Sequence, residues 1–188
     1  MGEEKKRLPV GLENFEQIIN DNYYYVDKTG LISELIRNGG MVNLFTRPRR
    51  FGKTLNMSML EHFFSIERDQ SIFEGLEISK DTKLCEEYMG KYPVISISLK
   101  GINAATYEDA FDFAVQIMKN VAGKMQFLLE SDALSDYDKS EYKKLLDSGM
   151  SKAVFCSGLK ILSELLEKHY GTKVVLLIDE YDVPLAKA

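Results

Sequence analysis

The chain has 188 residues, 45% hydrophobic and 28% charged, which is enough apolar content to bury a core and excludes an intrinsically disordered tail. Its formal net charge of −5 excludes a general nucleic-acid coat protein while leaving room for a local basic patch between Arg47 and Lys53. Two distant cysteines, Cys85 and Cys156, exclude a disulfide framework or CxxC zinc site, and no run reaches the roughly 20 apolar residues of a membrane span or forms a secretory leader, so the expected compartment is the cytoplasm.

Asp27-Lys28-Thr29 precedes Leu31, Ile32, Leu35 and Ile36, a spacing that predicts a short amphipathic helix with Asp27 or Thr29 as N-cap and Gly39 as stop. The aromatic run Tyr23-Tyr24-Tyr25 reads as packing. Residues 1–38 are expected to form a helical lead-in packed on a core domain made by residues 39–188. The apolar segment 41–46 (MVNLFT), between Gly39-Gly40 and Pro48, predicts a buried strand. From Lys53, Leu55, Met59, Leu60, Phe63 and Phe64 recur at helical spacing, so strand, loop and helix form the first unit of the pattern.

Residues 92–99 (YPVISISL) alternate and predict a strand with its proline near the start. Phe111, Ala114, Val115, Met118, Val121, Ala122, Met125, Leu128 and Leu129 predict one long helix over about 107–130. Residues 131–149 read as a polar connector with a helical turn or two around Tyr142 to Leu146. Val154, Phe155, Leu159, Leu162, Leu165 and Leu166 predict a second long helix ended by Gly171. The run 174–178 (VVLLI) predicts a strand buried on both faces. Strands alternating with helices define an α/β domain with a mostly parallel sheet.

The segment Arg47-Pro48-Arg49-Arg50-Phe51-Gly52-Lys53-Thr54 falls where a phosphate-binding loop must lie, between a strand and a helix N-terminus. Gly52 lets the backbone approach an anion, Lys53 would reach the β and γ oxygens of ATP, and the Thr54 hydroxyl would ligate Mg²⁺. Arg47 stands where the usual pattern has its first glycine. Arg47, Arg49 and Arg50 would repel one another unless an anion arrived, and one of them is expected to hold the γ-phosphate. With Phe51 and Leu55 these residues make the expected nucleotide-binding set.

A lone GKT is weak evidence, and the second feature that strengthens it is the apolar run ending in Asp179-Glu180. Asp179 would join Thr54 in the Mg²⁺ shell, and Glu180 would be the catalytic general base that deprotonates the attacking water. A charged pair at a strand end is otherwise an ordinary solvated terminus. His62 and His169 lie in or near apolar helical patterns and read as packing or surface residues rather than ligands.

Together with LPVG at 8–11, YVDKT at 25–29, FEGL at 73–76 and LIDEYDVPL at 177–185, the phosphate-loop segment resembles the AAA-ATPase-like proteins of bacteria and archaea, across nearly the whole chain. The resemblance implies a P-loop NTPase-type three-layer sandwich with a mostly parallel sheet, here truncated after the Walker B strand. In that family the arginine at the first-glycine position is typical. The likeness implies ATP and Mg²⁺ binding by Gly52, Lys53, Thr54 and Asp179, with hydrolysis through Glu180 in the intact protein; Asp182 belongs to the same DEYD run without an assigned role.

Members of the family often carry a PD-(D/E)XK nuclease-like domain to which nothing here corresponds, so a nucleic-acid partner is expected only through such a domain. A strand that follows Walker B in related ATPases is expected to be missing, which would leave strand edges for a protein partner or a second copy to cover. No membrane partner is expected. A second reading is a nucleotide-gated interaction module without significant turnover. A third, the weakest, is a nucleic-acid-binding fragment using the arginine cluster, with binding that falls steeply in salt.

Overall fold

The computed structural model describes residues 6–46, 51–102 and 106–181. The chain forms two compact units, residues 1–91 and 92–188.

In the first unit the described residues form helices α1 (Phe15–Asn20), α2 (Gly30–Asn38), α3 (Lys53–Phe64) and α4 (Thr82–Tyr88), with 3₁₀ turns at Ser71–Phe73 and Glu77–Lys80. The Asn14 side chain caps α1 by accepting from the Gln17 amide, and Asp81 caps α4 by accepting from Leu84. Phe15, Ile18, Met59, Phe63 and Phe73 are buried to 1% exposure or less. Their rings meet edge-on or tilted, Phe15 to Phe73 at 5.2 Å and Phe63 to Phe73 at 5.5 Å between centroids, geometries that aromatic quadrupoles favour. His62 is buried in the same seam, with Nδ1 2.7 Å from the Ser58 carbonyl and Nε2 3.3 Å from Glu16 Oε2, so it fastens α1 to α3.

The second unit is built on two parallel strands, β1 (Val94–Ser98) and β2 (Val175–Asp179), paired from Val94 with Val175 through Ser98 with Asp179. A parallel pair requires a long crossover. It is supplied by α5 (Tyr107–Gly123), a 3₁₀ turn at Gln126–Glu130, α6 (Asp136–Leu146) and α7 (Lys152–Tyr170). Ile95 and Ile97 of β1 pack with Val115, Met118, Tyr142, Leu145, Leu162 and Leu165 of the helices in one apolar core. Tyr142 is fully buried and its hydroxyl donates to the Ala122 carbonyl at 2.5 Å, while burial pushes its pKa up to about 12. Gly158 lies where α7 crosses α5 and α6, since a Cβ there would come within 3.1 Å of Met118 Cε and 3.4 Å of Leu145 Cδ2.

The α/β class expected from the sequence holds at the level of a mixed helix and strand chain with a small parallel sheet; among the described residues that sheet has two strands. The strand expected over 41–46 is not formed. Met41, Val42 and Leu44 are 101%, 87% and 66% exposed, and the Asn43 side chain closes a turn on Gly40 in both directions. A strand needs a ladder partner, and the described residues of this unit contain none, so local side-chain bonding wins. β2 is not buried on both faces either, because Leu176 and Ile178 are 43% and 39% exposed while Leu177 and Asp179 are buried. The helix expected over 107–130 breaks after Gly123 into a 3₁₀ turn. The supposed connector 131–149 contains the eleven-residue α6, opened by a full capping box between Ser135 and Asp138. α7 and its stop are as expected, with Gly171 at φ 70°.

Candidate functional site

The phosphate-loop half of the expected site belongs to the first unit. Gly52 is the N-cap of α3 at φ 72°, ψ 26°, a left-handed conformation that costs other residues about 1–2 kcal/mol. Gly52 has no side chain to cap this helix, and the first turn holds no acidic residue. Lys53, Thr54 and Leu55 form that turn and are half-buried, whereas Phe51 is 57% exposed. The N-terminus of a twelve-residue helix presents backbone amides and the positive end of the helix dipole, which suits an anion. Arg47, Pro48, Arg49 and Arg50 lie outside the described residues.

Beside this turn stands Lys28, whose Nζ would lie 3.8 Å from a Cβ placed on Gly52. The spacing around Asp27-Lys28-Thr29 predicts a helix start, and Thr29 does occupy the N-cap position of α2. Its side chain, however, caps nothing there. Thr29 is fully buried, its hydroxyl donates to Asp27 Oδ1 at 2.7 Å and accepts from the Ile78 amide at 3.0 Å. Asp27 also accepts from the Thr29 amide at 2.8 Å and the Glu77 amide at 2.7 Å. Burial alone would raise the Asp27 carboxyl, but these hydrogen bonds, with the Lys80 charge, outweigh it and hold the pKa below the usual aspartate value. The segment is therefore pinned to the 3₁₀ turn at Glu77–Lys80.

Thr29→Val keeps the shape and removes both bonds, leaving the buried Ile78 amide unpaired. We expect it to destabilise the fold by about 1–3 kcal/mol in a urea melt. A change below about 0.5 kcal/mol would mean that the Ile78 amide has another acceptor within reach.

The Walker B half belongs to the second unit. Asp179 ends β2, is buried, and its carbonyl accepts from the Leu99 amide at 3.0 Å. Its Oδ1 accepts from the Glu180 amide at 2.9 Å. That bond sits under an unusual backbone: Glu180 has φ 54°, a left-handed conformation rare for a residue with a Cβ and costing on the order of 1–3 kcal/mol. Two turn-like features, the side-chain bond and the positive φ, thus bend the chain as it leaves the strand. Asp182 lies outside the described residues.

Taken separately, each unit offers groups of the right chemistry: Thr54 and Asp179 each carry a hard oxygen of the kind Mg²⁺ prefers, and the α3 N-terminus with Lys53 offers donors suited to phosphate. Among the described residues no group of three or more His, Cys, Asp or Glu could hold a metal ion, and Mg²⁺ characteristically takes only one or two protein oxygens alongside phosphate. Also among the described residues, no helix is long and apolar enough to cross a membrane.

Fold and motifs together define an α/β chain with a left-handed glycine turn at a helix start and an acidic residue ending a parallel strand. The family described as Predicted AAA-ATPase matches residues 9–188. The chain belongs to that family, and membership suggests ATP binding. It is 30% identical over 184 residues to a protein of Azotobacter chroococcum mcd 1 described as "Uncharacterized protein in vnfD 5'region", covering 96% of this chain. This chain spans 30% of that protein's length. No solved structure matches the chain.

Proposed function

We propose that the chain is an ATP-binding P-loop module that takes its nucleotide with Mg²⁺ and takes part in ATP hydrolysis in the intact protein. The observation that carries this reading is Gly52 in the left-handed region at the start of α3, followed at once by Lys53 and Thr54. Gly52, Lys53, Thr54 and Leu55 would hold the phosphates, with Phe51 and the arginines Arg47, Arg49 and Arg50 ahead of them. Thr54 and Asp179 would hold Mg²⁺, which would supply charge neutralisation on the phosphate oxygens. Glu180 would accept the proton of the attacking water.

The test is a calorimetric titration with ATP and GTP, with and without Mg²⁺. Saturable ATP binding that tightens when Mg²⁺ is present is the expected result. No saturable heat at millimolar nucleotide would sink the proposal.

A second reading, a nucleotide-gated interaction module without significant turnover, is favoured by the apolar face that Leu176 and Ile178 leave exposed on β2, which suits a protein partner or a second copy. Nucleotide binding without phosphate release would select it.

A further inference from the structure

We infer that Lys28 is a second phosphate-binding cation of this site, acting beside Lys53 on the polyphosphate tail of the nucleotide. The inference rests on the nucleotide-binding reading above and adds a residue to it.

Its first support is position. The Lys28 ammonium reaches the Gly52 turn, within van der Waals distance, 3.8 Å, of where a Cβ on residue 52 would stand. The second is electrostatic. The Lys28 side chain is exposed and makes no hydrogen bond or ion pair among the described residues. Its neighbour Asp27 could have neutralised it, but that carboxylate is turned to the Thr29 and Glu77 amides and the Thr29 hydroxyl. What Lys28 meets instead is the start of α3, a helix with no acidic residue in its first turn and with Lys53 as its first residue. Lys28 beside the Gly52 turn and Lys53 as the first residue of α3 both bring positive charge to the positive end of a helix dipole, a combination that an anion would offset.

The third support is that the root of Lys28 is fixed. The Lys28 amide donates to the Tyr25 hydroxyl at 3.4 Å, and that hydroxyl in turn contacts Met59 Sδ of α3 at 3.5 Å. Asp27 and Thr29 on either side are tied to Glu77 and Ile78. A solvated surface lysine needs no such anchoring of the residues flanking it. Here the anchored backbone of Lys28 carries a compact point charge on a flexible stem beside the Gly52 turn, the form in which lysine serves phosphate.

The experiment titrates ATP, ADP and AMP, each with Mg²⁺, into the wild type, Lys28→Ala, Lys28→Arg and Lys53→Ala, and records the melting temperature of each protein with and without ATP. Lys28→Ala is expected to weaken ATP roughly ten- to hundredfold, the size of one lost charge-assisted bond, and AMP by less than about twofold. Lys28→Arg should recover most of the affinity. Without nucleotide, Lys28→Ala should melt at the wild-type temperature or slightly above it, because repulsion at the helix start is relieved. If Lys53→Ala loses ATP while Lys28→Ala binds it within about twofold of wild type, Lys28 is not a phosphate ligand and the loop reading stands. A lowered melting temperature of free Lys28→Ala with no recovery by arginine would make Lys28 a structural residue and overturn the inference. No nucleotide binding by the wild type would bring down both the inference and the site it extends.

Discussion

Glu180→Gln is expected to cut ATP turnover by about a thousandfold while leaving ATP affinity within about twofold, the signature of a lost general base. Glutamine keeps the length and the planar end group of glutamate, so it disturbs neither the left-handed backbone at φ 54° nor the bond from the residue 180 amide to Asp179 Oδ1. What it removes is the ability to accept a proton. The backbone is the reason to single out this residue: a Cβ-bearing residue in the left-handed region costs free energy that glycine there would not, and its amide is bonded to the Asp179 side chain. Phosphate release measured beside binding separates the outcomes. A variant that releases phosphate at the wild-type rate would clear Glu180 of the role, and a wild type that binds without release would favour the gated module.

The helices were legible where a single amphipathic stripe decided them. α7 emerged from Leu159, Leu162, Leu165 and Leu166, with Gly171 as a stop that the left-handed turn confirms. α6 was hidden because its surface is mostly charged, and the signal that would have found it is local: Ser135 and Asp138 at capping-box spacing, followed by Tyr142 and Leu145 on one buried face. The segment 41–46 misled for the opposite reason. Its apolar content satisfies the pattern of a strand, yet pattern says nothing of whether a partner strand is there to receive it, and Asn43 with Gly40 offers the backbone a competing turn.

The expected site residues Gly52 to Thr54 and Asp179 to Glu180 were proposed from residue type and from their place beside a helix start and at a strand end. Lys28 could not. Its relation to Gly52 depends on Asp27 and Thr29 reaching fifty and forty-nine residues along the chain to Glu77 and Ile78, a tertiary tie invisible to any local window. The FEGL stretch that precedes those amides reads in the same light: Phe73 fills the aromatic core, Gly75 turns at φ 77°, and the chain then presents the two amides that Asp27 and Thr29 take.

Lys53→Ala should weaken ATP by more than about a hundredfold and, in the same protein, raise or leave unchanged the stability of the nucleotide-free fold. The first effect follows from removing an ammonium that serves two phosphate groups, since hydrogen bonds to charged partners contribute about 1.5–3 kcal/mol each and about 2.7 kcal/mol corresponds to a hundredfold. The second follows from where Lys53 stands. As the first residue of α3 it places a cation at the positive end of the helix, a position that disfavours it by about 0.3–1 kcal/mol, and alanine has the higher helix propensity. Thermal melts read both at once: ATP should raise the wild-type midpoint through its preferential binding to the folded state, and that rise should vanish in the variant although its unliganded midpoint is no lower. A variant whose unliganded midpoint drops by several degrees would instead mark Lys53 as a packing residue, and the affinity loss would then say nothing about phosphate.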